Sequence, residues 1–217
     1  MQTERSNVAI SRRQLLIEDW KHTLYLWRQN RLAMIGTILV AFFIVIAIFA
    51  PAIAPYDPIE INISRSLLPP SSDHIFGTDQ FGRDIFSRVV YGARIEVGII
   101  LLVTVISGTI GVAVGITAGY FGGIIDDVLM RITDVFLSFP NLILAMALSA
   151  MLGRGVFNAI IAISLVGWTV IARLARAEAM KIKSLPYIEA IRALGASNTR
   201  ILLLHVLPMC MSPVLVQ

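Results

Sequence analysis

Residues 33–54 contain no charged side chain. Coiled as an α-helix rising about 1.5 Å per residue, this run is long enough to cross a hydrocarbon layer about 30 Å thick. Inside such a layer the backbone finds no water to bond, so a chain with several runs of this kind must satisfy its amides within helices. Apolar stretches follow at about 95–119, 135–152 and 156–172, and another starts at about Met209. The expectation is an all-α, polytopic transmembrane bundle with four complete spans and the start of a fifth. Composition points the same way: 57% of residues are hydrophobic and 15% charged, and a mean hydropathy of +0.79 lies outside the soluble globular range.

The net charge of +4 would suit a nucleic-acid binder if the basic residues were spread over one face. They are not. With the N-terminus in the cytoplasm, the internal segments hold six, one and six Lys and Arg, and the external ones hold four and one. That asymmetry is the positive-inside pattern, so the charge is assigned to membrane orientation and no nucleic-acid role is expected. Residues 1–32 then form a cytoplasmic segment, with an amphipathic stretch at 15–27 suited to the membrane surface. A cleaved signal peptide is the competing reading of 33–54, since Ala50-Pro51-Ala52 loosely resembles a cleavage site. The polar leader is too long and the apolar run too extended for that.

Residues 55–94 make an extracytoplasmic loop with four Arg and five acidic residues. Gly77 and Gly82 permit turns, and Asp84 is placed to cap a short interfacial helix and to pair with Arg88 four residues on. A catalytic pair of Asp79 and Asp84 is disfavoured, because Arg83 and Arg88 stand ready to neutralise them. In the span at 95–119, Gly111, Gly115 and Gly119 stripe one helix face and allow close packing, preferably within this chain. Asp126, Asp127, Arg131 and Asp134 in the next link read as capping and ion pairing, with Arg131 reaching Asp127 or Asp134. Pro140 interrupts the span at 135–152. Ser138, Pro140 and Asn141 are candidates for a pathway lining, although a simple kink is the preferred reading. The span at 156–172 continues as a basic helix to Lys183.

Residues 186–208 are a mostly polar island. Pro186 suits a first helical turn, Glu189 lies at the positive end of that helix, and Gly195 is placed for a left-handed stop. Ser197 or Asn198 can cap a second helix running towards Pro208. Ala190, Ala193, Gly195 and Ala196 leave one surface nearly free of side chains, which suits docking of another protein.

Glu189-Ala190, Gly195 six residues after Glu189, and Leu207-Pro208 twelve residues after that glycine resemble the EAA loop of ABC importer permeases. Ile191 and His205 depart from its general pattern, but His-Val-Leu-Pro is the ending of the peptide and nickel branch. A second and longer match lies at Gly77-Thr78-Asp79, Gly82-Arg83-Asp84, Ser87-Arg88 and Tyr91-Gly92-Ala93-Arg94. It is similar to the segment before the second span in permeases of the DppC/OppC type. The resemblance covers the chain from about Arg28 onward and implies a type I importer permease whose 186–208 loop docks on a cytoplasmic ATPase. It further implies two such ATPases, a second homologous permease in a heterodimer, an extracytoplasmic solute-binding protein, and ATP bound only by the partners. By the family pattern another span or two should follow Gln217, so the chain looks truncated.

The remaining chemistry agrees. The sequence has no G-x-x-x-x-G-K-[ST] loop, no H-E-x-x-H, and a single cysteine, Cys210. No cofactor, metal or enzymatic activity is expected of this chain. Its spans carry no buried Asp, Glu or His of the kind a proton-coupled carrier uses, which argues against a secondary transporter. Import of di- or oligopeptides is the expected function. Nickel, opines or other small solutes are the alternative cargo, and a membrane scaffold is the dull option.

Overall fold

The computed structural model describes residues 25–215, which form two compact units, one up to Val97 and one from Gly98 on. The amphipathic stretch expected at 15–27 lies outside the described residues up to residue 24. Among the described residues the fold is all-α, with one isolated antiparallel bridge between Thr78 and Asp84.

In the first unit, α1 (Arg31–Ile53) starts where the Asn30 side chain accepts the Ala33 N–H at 3.1 Å. It carries Pro51 in its last turn and stops before Pro55. Residues 54–84 fold back on themselves around a short 3₁₀ turn, Ile63–Arg65. Then α2 runs unbroken from Ile85 to Phe121. This corrects the expected break between an interfacial helix and the second span: no proline lies between Ile85 and Phe121, and nothing else interrupts the ladder.

The second unit holds the rest of α2, then α3 (Gly123–Leu137), α4 (Asn141–Leu152), α5 (Val156–Lys183), α6 (Pro186–Ala193) and α7 (Asn198–Leu215). The glycine stripe of α2 lies against α5. A Cβ at Gly111 would sit 2.6 Å from the Trp168 carbonyl oxygen, and one at Gly119 would sit 2.5 Å from that of Arg176. Packing is therefore within this chain, and only glycine allows the backbones so near. Val112, Ile116 and Tyr120 of α2 join Ala175, Ala179 and Ile182 of α5 and Ile188, Ile201, Val206 and Cys210 in one core.

Three helix boundaries differ from expectation. The span expected at 135–152 is a pair, α3 and α4, bent by 89°. Pro140 is not inside a helix but stands at the start of α4 with ψ 122°, because a proline cannot donate to the preceding turn. The helix expected to run from Asn198 towards Pro208 and the span expected from about Met209 are one helix, which passes Pro208 through a π-helical turn at Leu202–Val206. There the Leu207 N–H bonds the Leu202 carbonyl five residues back, which relieves the clash that the proline ring makes in a regular helix. Finally, Arg131 is not the partner of the link's acids. Asp126 is held by Arg176 of α5 at 2.5 and 2.6 Å, and Asp134 by Arg173 at 2.6 Å. Counting the bent pair as one, five segments among the described residues are long and apolar enough to cross a membrane.

Candidate functional site

The α6–α7 hairpin has two contrasting faces. Leu185 leads in with extended backbone, Pro186 fills the first position of α6, and Glu189 stands in the first turn. The helix closes as a Schellman motif: the Gly195 N–H bonds the Arg192 carbonyl at 3.0 Å and the Ala196 N–H bonds that of Ile191 at 3.3 Å. Gly195 sits at φ +87°, in the left-handed region that the motif requires. Two residues later the Ser197 hydroxyl accepts the Arg200 N–H at 3.3 Å and starts α7.

Inward, Ile188 and Ile201 are fully buried, and Ile191, Ala196 and Leu207 are partly buried against the same core. Outward, Glu189, Ala190, Ala193, Gly195 and Pro208 are exposed, and Leu194 is 87% exposed at the tip. A Cβ built on Gly195 meets nothing within 4 Å. Most residues singled out from the sequence thus share one bare surface, whereas Ala196 and Leu207 contribute to the side that holds the hairpin in place.

Tyr120, at the end of α2, anchors that inner side. Its hydroxyl donates to Asn198 Oδ1 at 2.9 Å, and the Arg192 guanidinium approaches the Tyr120 hydroxyl oxygen at 3.5 Å and the ring centroid at 5.7 Å. Sequence reasoning missed this residue, since its partners lie more than seventy positions away. Its only local signal was an aromatic hydroxyl at the end of an apolar run.

The loop motif gathers a different set. Asp79 accepts the N–H groups of Phe81 at 2.8 Å and Arg83 at 3.0 Å, and pairs with both guanidinium groups, Arg83 and Arg88. Partial burial pushes its carboxyl up, but the Arg83 and Phe81 amides and the Arg83 side chain outweigh this and hold it at about 2. Asp84 caps α2 by accepting the Ser87 N–H at 2.7 Å, and its other oxygen meets His74 Nδ1 at 2.9 Å. Burial raises this carboxyl too, yet the Ser87 and His74 hydrogen bonds leave it below the usual carboxylate range. Arg88 therefore serves Asp79 and not Asp84, a correction that follows from His74 already filling the Asp84 site. His74 lies under the Tyr56 ring at 4.8 Å, and Ser87 Oγ accepts the Tyr56 N–H at 3.2 Å. Thr78 accepts the Leu68 N–H at 2.8 Å and donates to the Arg65 carbonyl. Gly77 and Gly82 supply the positive φ of two turns, at +74° and +71°. Gly92 and Arg94 stand further along α2, outside this network. Ser138, Pro140 and Asn141 form the exposed corner between α3 and α4, with Ser138 Oγ bonded to the Val135 carbonyl at 2.7 Å.

Residues 111–217 match the family model described as "Binding-protein-dependent transport system inner membrane component". Residues 19–70 match "N-terminal TM domain of oligopeptide transport permease C". The chain is 39% identical to the dipeptide transport system permease protein DppC of Alkalihalophilus pseudofirmus, over 93% of this chain and 66% of that protein. It is 40% identical to the oligopeptide transport system permease protein OppC of Bacillus subtilis, over 91% of this chain and 65% of that one. With DppC of Haemophilus influenzae the identity is 37%, over 89% and 68%. The chain spans about two thirds of the length of the curated relatives it matches.

Proposed function

Because the chain belongs to the binding-protein-dependent transport system inner membrane component family, as a multi-pass protein of the cell membrane, we propose that it is a permease subunit of an ABC importer for di- or oligopeptides. The peptide cargo is inferred from its relatives, which are named for dipeptide and oligopeptide transport. The N-terminus and the α6–α7 hairpin lie in the cytoplasm in this reading, in keeping with the six, one and six internal basic residues. The loop at 54–84 faces outward, where a solute-binding protein delivers the peptide. A second, homologous permease completes the pathway, and two ATPase subunits bind the ATP.

The observation that carries the reading is the hairpin itself: pinned from inside by Ile188, Ile201 and Tyr120, bare outside around Gly195 and Leu194. A helix with one face locked to the spans and one face free transmits a push. Closure of the ATPases on ATP binding displaces α6, and the shared core carries that displacement into α5 and α2. The Ser138–Pro140–Asn141 corner, where the chain turns by 89°, is the proposed stretch of pathway lining that such motion re-aims.

The test uses the full-length subunit with its partner permease and both ATPases, Cys210 removed and Ala193→Cys introduced. Cys210 is buried and so takes no part in the exposed face of the hairpin. A crosslink from position 193 to the ATPase that changes with ATP is the expected result. Labelling of position 193 only from outside the cell overturns the orientation and the docking role together.

A further inference from the structure

We propose that Tyr120 is the joint through which movement of the α6–α7 hairpin reaches α2, a positioning residue for transport whose role rests on the docking reading above. The side chain is 3% exposed, so its hydroxyl must find its partners within the protein. A phenol offers one donor and can still accept. Here the proton goes to Asn198 Oδ1 at 2.9 Å, and Arg192 lies on the accepting side at 3.5 Å. Arg192 is in the last turn of α6 and Asn198 opens α7, so one oxygen touches both arms of the hairpin across the Gly195 turn.

The other end of the joint is equally constrained. Gly119, the preceding residue, presses on the Arg176 carbonyl, where a Cβ would come within 2.5 Å. Arg176 in turn grips Asp126 of α3 through two bonds of 2.5 and 2.6 Å. Displacement of the hairpin therefore either carries the end of α2 with it, against α5 and α3, or breaks the bonds of the Tyr120 hydroxyl. The apolar ring belongs to the same buried core as Ile116 and Ile188, with or without the hydroxyl, so packing and transmission are separable.

Tyr120→Phe separates them. In the full-length subunit, assembled with the partner permease, both ATPases and the solute-binding protein in proteoliposomes, the readout is dipeptide imported per ATP hydrolysed. Tyr120→Phe is expected to lower that ratio about tenfold, the loss of one or two hydrogen bonds. The ATP-sensitive crosslink at position 193 persists. Asn198→Ala, at an exposed position, is expected to lower it as well, and the double variant should be no worse than Tyr120→Phe alone. A wild-type ratio in Tyr120→Phe, or losses that multiply in the double variant, overturns the joint. If Tyr120→Phe does not assemble, Asn198→Ala carries the test alone: a wild-type ratio there overturns the proposal equally. Absence of the crosslink in the otherwise unaltered chain is a different failure, that of the docking reading.

Discussion

The loop at 54–84 and the hairpin at 186–208 are built from the same parts and end in opposite conditions. Each has a glycine at positive φ and a helix capped by a side-chain oxygen. In the loop these groups satisfy one another. Asp79 takes two amides and two guanidinium groups, Asp84 takes an amide and His74, and Gly82 is pressed against the Asn62 carbonyl. In the hairpin only the inner half is satisfied. Glu189, Ala193, Leu194 and Arg200 face outward, and the space beside Gly195 is empty. A segment whose polar groups are consumed internally has its shape set by itself. One that keeps an exposed leucine at its tip and a clear backbone leaves a face that this chain does not fill.

The sharpest way to break this contrast is Gly82→Ala. The residue sits at φ +71°, and the added Cβ would collide with the Asn62 carbonyl, which belongs to backbone and cannot swing aside. Strain and overpacking together should cost the loop about 4 kcal/mol. Limited proteolysis of the detergent-solubilised subunit should then show rapid cleavage between residues 55 and 84, and a loop as resistant as the parent would mean that it is not the closed structure described. Asp84→Ala should cost less, about 2 kcal/mol, by uncapping α2 and leaving His74 without its partner. The same cleavage should appear more slowly, and Asp84→Asn should recover part of the resistance.

Much of the hairpin was legible in the sequence because its signals are local. Pro186, Gly195 and Ser197 each act within a few residues, so their spacing alone announces helix, turn and cap. The spans were legible for a similar reason, since lack of charge over a membrane's thickness is a one-dimensional property. Several of the misreadings concern choices between partners. Asp84 had Arg88 at helical spacing, but His74, ten residues back, takes the site once the loop folds. Asp127 and Asp134 had Arg131 nearby, yet Asp134 is taken by the Arg173 guanidinium of α5, 39 residues on. Pro140 announced an interruption without saying whether the helix would kink or break, because that depends on how α3 and α4 pack elsewhere. Tyr120 was invisible for the same reason.

Acid titration gives a smaller and reversible test of the loop. The Asp79 carboxyl is held at about 2 against an ordinary 3.8. A carboxyl lowered in the folded state contributes stability that is fully present above its unfolded value and is lost as pH falls through its folded value. Nothing should change from neutral pH down to about 5, and the loop should loosen progressively between about pH 4 and 2. Hydrogen exchange of the Phe81 and Arg83 amides, corrected for intrinsic rates, should follow that course. In Asp79→Asn the same amides should exchange faster at neutral pH and lose most of the acid dependence. Acid loosening as steep in the variant as in the parent would assign it to another group.

Gly195→Ala should have the smallest effect on stability, and the comparison with Gly82→Ala makes it informative. The two glycines have similar φ, +87° and +71°, so the conformational cost of a Cβ is nearly shared, about 1 kcal/mol. They differ in what the Cβ meets: backbone at Gly82, nothing within 4 Å at Gly195. The difference between the two variants in thermal unfolding therefore isolates the contact from the strain. A Gly195→Ala variant as damaged as Gly82→Ala would show that the hairpin surface is filled by this chain itself. Gly195→Glu then tests what the clear space is for. Its strain should resemble that of the alanine variant and leave the spans folded, while the charge and bulk should abolish the crosslink from position 193 and uncouple transport from ATP hydrolysis. Retained coupling in Gly195→Glu would place the docking surface elsewhere, however bare this one is.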